Sequence, residues 1–384
     1  MKTLEQVPEY IHSLIPYEPG KPIEEVEREY GISSSVKLAS NENPLGPSPK
    51  ALSAIRERLD QLHLYPDGDC FYLKRSLATK LGVAPENLLF GNGSNEIIEL
   101  AARTFLRPGD EAVMARQAFV VYQLIVQAVG GKSMAVPLRD FTHDLPAIAD
   151  AVTPRTKIVF LANPNNPTGT IYRRQEWESF LKKISPEVLL IVDEAYFEYV
   201  QDPAYPDSLR YHEEERAMLT LRTFSKLYGL AGLRIGYGVG PKSLIALLQR
   251  VRQPFNVNAV AQWAALAALD DADHVKRSLA VNTEGLKFLA QEFGKLGLEF
   301  VPSCANFILV RVGKGQEVFQ KLLTQGIIVR PMDGYQFPEH VRVTVGTKEE
   351  NRRFIEALGK IIPPHPSLSP AMGERTKERG ERQI

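Results

Sequence analysis

A lysine at the end of an apolar run is the residue in this chain best placed for covalent chemistry. The sequence Thr-Phe-Ser-Lys, residues 223–226, closes a run that begins at Met218, and Arg234 lies eight residues after Lys226. A lysine near hydroxyls and a second cation can have a lowered pKa and act as an amine nucleophile. Arg234 could pair with a phosphate through two hydrogen bonds. The ordinary alternative is a solvated surface lysine at the edge of a sheet.

A glycine-rich segment is a candidate site for an anion. Residues 91–96 read Gly-Asn-Gly-Ser-Asn-Glu and lie between a predicted strand and a predicted helix. Glycine allows positive φ, Ser94 is a favourable N-cap, and the free amides of a first helical turn attract phosphate. The segment is not a dinucleotide fingerprint, because Glu96 stands where the third glycine is required. Taken alone, an ordinary strand–turn–helix junction explains it slightly better.

Two further segments place polar groups at the ends of apolar runs. Residues 163–169 read Asn-Pro-Asn-Asn-Pro-Thr-Gly and predict a rigid, sharply turned loop. A second run ends in Asp193, and Tyr196 follows it. A carboxylate there costs free energy unless it meets a positive partner, and a protonated cofactor nitrogen would be suitable. The ordinary alternatives are a tight turn for the loop and a solvated strand end for Asp193.

The elements that carry these segments predict a sheet that brings their ends together. Short apolar runs alternate with helical stretches, and the predicted strands are residues 88–90, 111–115, 157–161, 188–192 and 218–223. Runs of this kind predict strands buried on both faces, and their alternation with helices predicts a mostly parallel α/β sheet. Ligands bind such sheets beyond the carboxyl ends of the strands.

The chain as a whole divides into four predicted regions. Residues 1–49 are predicted to form an N-terminal arm that joins the small domain, and residues 50–250 a large domain. Residues 251–362, with long helical patterns and a few short strands, predict a smaller α+β domain. Residues 363–384 are rich in proline and charge and poor in apolar side chains, which predicts a disordered tail.

Composition and charge argue against several classes of protein. Lys plus Arg and Asp plus Glu both number 46, which gives no electrostatic reason to expect nucleic acid or an anionic membrane as partner. Cys70 and Cys304 are the only cysteines, and the seven histidines lack ligand spacing, so we expect no metal site. The acidic first thirty residues do not resemble a signal peptide, and no apolar stretch is long enough to span a bilayer. A cytoplasmic protein is therefore expected.

The order of the four chemical segments is more specific than any one of them. Along the chain they are a glycine-rich segment, an Asn-Pro-Thr-Gly loop, a strand-end Asp with a following Tyr, and Ser-Lys with Arg. This arrangement resembles the fold-type-I family of pyridoxal-phosphate aminotransferases over roughly residues 30–360. The resemblance implies pyridoxal 5′-phosphate as cofactor. It also implies an α/β fold, whose large domain has a central, mostly parallel sheet flanked by helices.

The resemblance also implies a role for each residue that matches the family pattern. Lys226 would hold the cofactor as a Schiff base and transfer protons, and Asp193 would bind the protonated pyridine nitrogen. Asn166 and Tyr196 would hydrogen-bond the 3′-oxygen of the cofactor. Tyr122 would stack on the pyridine ring. The residues implied to hold the cofactor phosphate are Gly93, Ser94, Asn95, Thr223, Ser225 and Arg234.

Both ends of the chain carry a narrower resemblance. Leu-Ala-Ser-Asn-Glu-Asn-Pro-Leu-Gly at residues 38–46 and Arg-Val-Thr-Val-Gly at residues 342–346 resemble histidinol-phosphate aminotransferases. The implied reaction converts L-histidinol phosphate and 2-oxoglutarate to 3-(imidazol-4-yl)-2-oxopropyl phosphate and L-glutamate, a step of histidine biosynthesis. The implied assembly is a homodimer in which Tyr65 reaches the cofactor phosphate of the neighbouring subunit. The implied substrate-binding residues are Tyr17, Asn43, Arg330 and Arg342.

Three other functions remain open at this point. An aminotransferase for aromatic amino acids, or the threonine-phosphate decarboxylase of cobalamin synthesis, would keep the same cofactor site. Sequence separates these poorly, because arginine can bind either a carboxylate or a phosphate. A regulator built on an inactive aminotransferase fold usually carries a DNA-binding extension. No basic helix-turn-helix segment precedes the core, and Lys226 and Asp193 are both present.

Overall fold

The computed structural model describes residues 3–17 and 19–362, so the tail predicted at residues 363–384 lies outside the described residues. The chain begins with an arm, whose elements are α1 (Glu9–His12), α2 (Ile23–Tyr30) and β1 (Val36–Lys37). Val26, Val36 and Leu38 of this arm are buried in the same apolar core as the C-terminal part of the chain. The arm is therefore packed against that part by its apolar side chains.

A seven-stranded sheet forms the centre of the molecule. Its strands and the helices around it are α3 (Pro49–Arg56), α4 (Phe71–Leu81), β2 (Leu88–Gly91), α5 (Ser94–Phe105), β3 (Glu111–Ala115), α6 (Val121–Ala128), β4 (Lys132–Val136), α7 (Leu145–Asp150), β5 (Thr156–Ala162), α8 (Arg174–Lys183), β6 (Leu189–Asp193), β7 (Met218–Thr223), β8 (Gly236–Val239) and α9 (Lys242–Val251). The strand order is β2-β8-β7-β6-β5-β3-β4, and β8 alone runs antiparallel to its neighbours. The predicted α/β fold with a mostly parallel sheet is confirmed.

Side chains that alternate along the strands bury both faces of the sheet. On one face, Ile158, Leu189 and Ile191 pack with apolar residues of α5, α6 and α9. On the other face, Val159 and Leu190 pack with apolar residues of α7 and α8. This two-sided burial explains why the strands appear in the sequence as continuous apolar runs.

Two strands of the sheet were not predicted from the sequence. The edge strand β4 is mostly exposed, so it lacks an apolar run. The strand β8 begins with Gly-Tyr-Gly, which has the composition of a loop. A Cβ at Gly236 would lie 2.5 Å from the Ser94 backbone nitrogen. Glycine is therefore required where β8 passes under the glycine-rich segment.

The C-terminal third of the chain adds further helices and a smaller domain. Its elements are α10 (Ala259–Leu269), α11 (Ala272–Lys295), β9 (Phe300–Val301), β10 (Phe307–Arg311), α12 (Gly315–Leu323), β11 (Ile327–Ile328), β12 (Arg330–Pro331), β13 (His340–Thr344) and α13 (Lys348–Ile361). Strands β12-β13-β10-β9 form an antiparallel sheet, and β11 pairs in parallel with β1. Helix α10 packs in one core with α3, α4 and β2, whereas the prediction divided the chain at residue 250 and placed this helix in the small domain. Within the described residues, no helix is both long and apolar enough to cross a membrane.

Candidate active site

All but two of the predicted site residues meet in one cavity of about 400 Å³ beyond the carboxyl ends of the central strands. Its wall includes four cations, Lys226, Arg234, Arg330 and Arg342, and two carboxylates, Glu42 and Asp193. This excess of positive charge favours an anionic ligand. The other predicted site residues on the wall are Tyr17, Gly93, Ser94, Asn95, Tyr122, Asn166, Tyr196, Thr223 and Ser225.

The glycine-rich segment forms one end of the cavity. Gly93 has a φ of 77° and is the N-cap of α5, so Ser94 is the first helical residue and not the N-cap that we predicted. A Cβ at Gly93 would lie 2.7 Å from Arg234 Nη2, so only glycine lets the guanidinium approach this turn. An arginine side chain beside the amides of a helix N-terminus is a cradle that suits a phosphate.

The loop after β7 completes this end of the cavity. The Thr223 hydroxyl donates to the Ile235 carbonyl at 3.3 Å and accepts from the Ser225 amide at 3.0 Å. Thr223 therefore holds the loop in shape, which leaves the Ser225 hydroxyl as the better phosphate donor. Arg234 has a φ of 58°, and its Nη1 donates to the Ala231 carbonyl at 3.1 Å.

Lys226 extends over the middle of the cavity. Its Nζ donates to the Ser40 carbonyl at 3.2 Å and lies 5.7 Å from the centre of the Tyr196 ring. Burial, with added repulsion from Arg342 and Arg234, lowers the pKa of Lys226 to about 8. An amine with such a pKa is partly neutral near physiological pH, as a nucleophile or a proton carrier requires.

The lowered pKa of Lys226 predicts a cost in stability that depends on pH. Below about pH 8 the folded chain must hold a charge that burial disfavours, and above the ordinary pKa of 10.5 neither state is charged. At pH 7 the free energy of unfolding of the cofactor-free Lys226→Met variant should therefore be up to about 3 kcal/mol larger than that of the unsubstituted chain. This difference should shrink between pH 8 and pH 10.5.

Denaturant unfolding at several pH values would measure this difference. Lys182, which is exposed on α8, offers the matched control, because Lys182→Met should show no such pH dependence. A difference between Lys226→Met and the unsubstituted chain that stayed constant from pH 7 to pH 11 would contradict a lowered pKa.

Asp193 forms the opposite wall of the cavity, where β6 ends. Its Oδ2 accepts a hydrogen bond from the Tyr122 hydroxyl at 2.7 Å, and its Oδ1 accepts from the Ala195 amide at 3.2 Å. Burial raises the pKa of Asp193 from its ordinary value, although both hydrogen bonds oppose the change. A cationic ligand atom beside this carboxylate would offset the cost of its burial.

Tyr122 lies in a position that does not suit the stacking role we predicted for it. The residue is 0% exposed, and its ring stacks on Phe160 with a centroid distance of 4.8 Å. Its hydroxyl donates to Asp193, so the residue supports the carboxylate, and Phe160 covers one face of its ring. Phe119 packs edge-on against Tyr122, lines the cavity and is the better candidate for stacking. The sequence contained both aromatic residues but not the direction of either side chain.

Arg342 links several polar groups on the remaining wall. Its guanidinium donates to Asn166 Oδ1, and its Nη2 donates to the Ala39 carbonyl at 2.8 Å. The Tyr196 hydroxyl accepts from Asn41 Nδ2 at 2.8 Å, and burial raises the pKa of Tyr196 to about 12. Tyr196 therefore stays a neutral hydroxyl that can donate to an oxygen in the cavity.

Two of the predicted site residues lie outside this cavity. The Asn43 amide donates to the Leu227 carbonyl at 2.7 Å and to the Ser278 hydroxyl at 2.9 Å, so Asn43 fixes the arm and does not line the site as predicted. Its neighbour Asn41 lines the cavity instead. Tyr65 is 83% exposed and stacks on Phe255 at the surface.

The far end of the cavity lies between the arm and the small domain. The Arg330 guanidinium carbon is 5.6 Å from the centre of the Tyr17 ring, and Tyr335, which the sequence did not indicate, also lines this end. Arg330 and Arg342 face each other as partners in the register of β12 and β13. Two adjacent arginines can hold a phosphate or a carboxylate.

The chain is similar in sequence to known proteins of one family. Residues 33–358 match the family described as aminotransferase class I and II. The chain is 52% identical over 362 residues to a histidinol-phosphate aminotransferase of Moorella thermoacetica, covering 94% of each chain. It is 50% identical over 353 residues to histidinol-phosphate aminotransferase 1 of Nitrosococcus oceani, covering 92% of this chain and 95% of that one.

A solved structure gives the same picture of the fold. Histidinol-phosphate aminotransferase from Sinorhizobium meliloti, in complex with pyridoxal-5′-phosphate, is similar with a TM-score of 0.85 and 28% sequence identity. The match covers 95% of this chain and 98% of the other.

Proposed function

The chain belongs to the class I and II aminotransferase family, and from that premise we propose that it interconverts L-histidinol phosphate and 2-oxoglutarate with 3-(imidazol-4-yl)-2-oxopropyl phosphate and L-glutamate. This is an amino-group transfer in histidine biosynthesis. The observation that carries the proposal is Lys226, an amine of lowered pKa, in a cavity that also holds Asp193 and two adjacent arginines.

The residues of the cavity fit pyridoxal 5′-phosphate. The cradle of Gly93 and Arg234 accepts no Cβ, the buried Asp193 carboxylate forms no salt bridge within the described residues, and the pKa of the Lys226 amine is lowered to about 8. Bound there, the cofactor supplies an electron sink for the substrate carbon that loses a proton. The residues that would hold it are Gly93, Ser94, Asn95, Phe119, Asn166, Asp193, Tyr196, Ser225, Lys226 and Arg234.

Each side chain then has a physical task. The negative charge of Asp193 would keep the pyridine nitrogen of the cofactor protonated, and the hydrogen bond from Tyr122 orients the Asp193 carboxylate. Lys226 Nζ accepts a proton from the substrate carbon and returns it at a neighbouring atom, which its lowered pKa permits. Arg342 holds the anionic group of either substrate, and Asn166 orients Arg342.

Arg330 and Tyr17 are proposed to bind the substrate phosphate specifically. Arg330→Ala should raise the KM for L-histidinol phosphate roughly 10- to 100-fold, because a hydrogen bond to a charged group is lost. The KM for 2-oxoglutarate should change less, and kcat should stay near its original value. Steady-state kinetics with each substrate varied would measure this, with Arg352→Ala on the exposed face of α13 as control. An equal rise in both KM values would contradict a phosphate-specific role.

We also propose a homodimer in which Tyr65 serves the site of the neighbouring subunit. The support is a row of exposed apolar side chains, since Leu64, Tyr65 and Tyr72 are 60%, 83% and 74% exposed and line one groove. Exposed apolar groups of this size are typical of an interface. The cytoplasmic location and the absence of a nucleic-acid partner stay predictions.

Shared sites predict that two inactive variants restore activity when combined. Lys226→Ala and Tyr65→Ala should each be impaired as pure dimers. Hybrid dimers formed by co-expression would contain one site with both native residues, so partial activity should return. Differently tagged subunits would allow the hybrid to be purified and assayed. No recovery in a purified hybrid dimer would contradict shared sites.

A comparison of substrates tests the proposed reaction against its rivals. The purified, cofactor-loaded protein would be assayed with 2-oxoglutarate and either L-histidinol phosphate or L-phenylalanine, and with L-threonine phosphate for release of carbon dioxide. We expect the highest kcat/KM with L-histidinol phosphate. A higher value with L-phenylalanine, or release of carbon dioxide, would assign the site to one of the alternatives.

A further inference from the structure

A buried cluster of charges lies behind the wall of the site. It consists of Arg222, Glu194 and Asp207, and we call it the Arg222 cluster. Arg222 is 3% exposed and Glu194 is 0% exposed. The Arg222 Nε and Nη2 donate to Glu194 Oε2 at 2.9 and 2.7 Å, and Nη2 also donates to Asp207 Oδ1 at 2.7 Å. The Phe197 ring covers the guanidinium, with its centre 3.4 Å from the guanidinium carbon.

The members of this cluster are next to the proposed catalytic residues in the chain. Glu194 directly follows Asp193, and Arg222 is the penultimate residue of β7, four residues before Lys226. Asp193 contacts Tyr122 while Glu194 contacts Arg222, because successive side chains of an extended chain point to opposite sides. The cluster therefore joins the carboxyl ends of β6 and β7 on the side that faces away from the cavity.

Backbone contacts make this joint specific. The Glu194 amide donates to the Leu221 carbonyl at 2.8 Å, which extends the β6–β7 pairing by one residue. Glu194 Oε1 accepts from the Ser208 amide at 2.9 Å, so both carboxylate oxygens have partners. The planar guanidinium of an arginine can fix both the distance and the direction of its hydrogen bonds to a carboxylate, which the ammonium of a lysine cannot.

Stability alone does not explain such a cluster. Two or three charges removed from water rarely stabilise a fold more than well-packed apolar side chains would. Both strand ends could have been filled by apolar residues, as Leu189–Val192 of β6 are. What the charged cluster adds is a fixed spacing between two strand ends that carry reactive groups.

We propose that Arg222 is a positioning residue, whose fork on Glu194 holds the ends of β6 and β7 so that Asp193 and Lys226 keep a productive spacing across the bound cofactor. This inference rests on the proposed function of the site. Arg222 touches neither the cavity nor a reacting atom, so it acts only through Asp193 and the loop at residues 223–226. A displacement of reactive groups by about 1 Å can cost about 10²-fold in rate.

The first test replaces the fork but keeps the charge. Arg222→Lys should lower kcat by about 10-fold or more, with little change in either KM and with weaker cofactor binding. An Arg–Glu pair far from the site offers a control, because the exposed Arg155 donates through Nε to the buried Glu111 at 2.8 Å, at the opposite ends of β3 and β5. Arg155→Lys should leave kcat and cofactor affinity unchanged.

A second variant covers the case in which Arg222→Lys fails to fold. Arg222→Met combined with Glu194→Gln removes the fully buried ion pair and keeps an acceptor for the Ser208 amide, while the partly exposed Asp207 keeps its ion pair with Arg210. This double variant should unfold at a temperature close to that of the unsubstituted protein but retain the loss in kcat. The cofactor's visible absorption band and its dissociation constant should both change.

The possible outcomes separate a positioning role from a structural one. A lowered kcat at constant KM in the Arg222 variants, with an unaffected Arg155→Lys, supports the proposal. If the folded Arg222 variants had the kcat and cofactor affinity of the unsubstituted protein, the proposal would be overturned. Losses in kcat that only follow the amount of folded protein would also overturn it. If the unsubstituted enzyme ignored L-histidinol phosphate, the proposed function would fail, while cofactor affinity and the absorption band would still test Arg222.

Discussion

Replacing Lys226 with alanine is expected to lower the rate of amino-group transfer by roughly 10³-fold or more, because we propose that this one side chain both anchors the cofactor and moves the proton. Its Nζ is the amine with the lowered pKa in this cavity, and the arginines beside it remain charged and cannot replace it. The loss should appear in kcat as well as in cofactor affinity.

The measurement is steady-state transfer with saturating L-histidinol phosphate and 2-oxoglutarate, together with the visible spectrum of the same sample. Lys182→Ala on the exposed face of α8 is the control and should behave like the unsubstituted enzyme. The visible band of a lysine-bound cofactor should be missing from Lys226→Ala alone. Retention of that band and of most of the activity would mean that another amine does the work.

Asp193→Asn is expected to have the second largest effect, a loss of roughly 10²- to 10³-fold in kcat. Asparagine keeps the shape of the side chain but removes the charge that stabilises a protonated ring nitrogen, and electrostatic stabilisation of this kind carries a loss of that size. Substrate KM values should change little, because the residues proposed to bind substrate lie elsewhere, in the arm (Tyr17) and on β12 and β13 (Arg330 and Arg342). Kinetics with each substrate varied would show this separation.

Tyr122→Phe provides the graded comparison for Asp193. It removes the hydrogen bond to Oδ2 but leaves the carboxylate and its bond from the Ala195 amide, so the loss in kcat should be smaller than for Asp193→Asn. If Tyr122→Phe matched or exceeded the effect of Asp193→Asn, the charge of Asp193 would not be the main contribution.

The architecture of the large domain could be read from the sequence because burial on both faces leaves a clear pattern. Strands β3, β5, β6 and β7 are almost entirely buried, and each was predicted near its observed bounds. Strand β8 was missed because its glycines are needed for close backbone approach, and propensity treats glycine as a loop residue. Helix α10 was predicted to lie in the small domain, yet it shares a core with α3, α4 and β2, because sequence order does not say which neighbour a helix packs against.

The site was predictable in its composition but less so in its geometry. The composition of four segments, and their order along the chain, indicated the glycine-rich segment, the Asn-Pro-Thr-Gly loop, Asp193 and Lys226. The structure brings all of them to one cavity. The errors concern side-chain direction. Asn43 and Asn41 are two residues apart in one motif, yet Asn43 anchors the arm and Asn41 meets Tyr196. No periodicity in the sequence encodes that choice, because it depends on a backbone turn in which Asn41 has positive φ.

The burial of ionisable groups at the site costs free energy of folding that a purely structural protein would avoid. Lys226 and Asp193 both have pKa values displaced toward their neutral forms by burial, and the Arg222 cluster keeps charges away from water. Perturbed groups concentrated in one cavity are typical of catalytic sites.

The most direct test of this account is a spectrum of the purified, cofactor-loaded protein before and after L-histidinol phosphate is added without any acceptor. The account predicts that the visible band of the lysine-bound cofactor gives way to the band of pyridoxamine phosphate, and that 2-oxoglutarate restores it. A visible band that is unchanged by L-histidinol phosphate would contradict the proposed substrate. A protein that shows no visible band when pyridoxal phosphate is supplied would contradict the role of Lys226 itself.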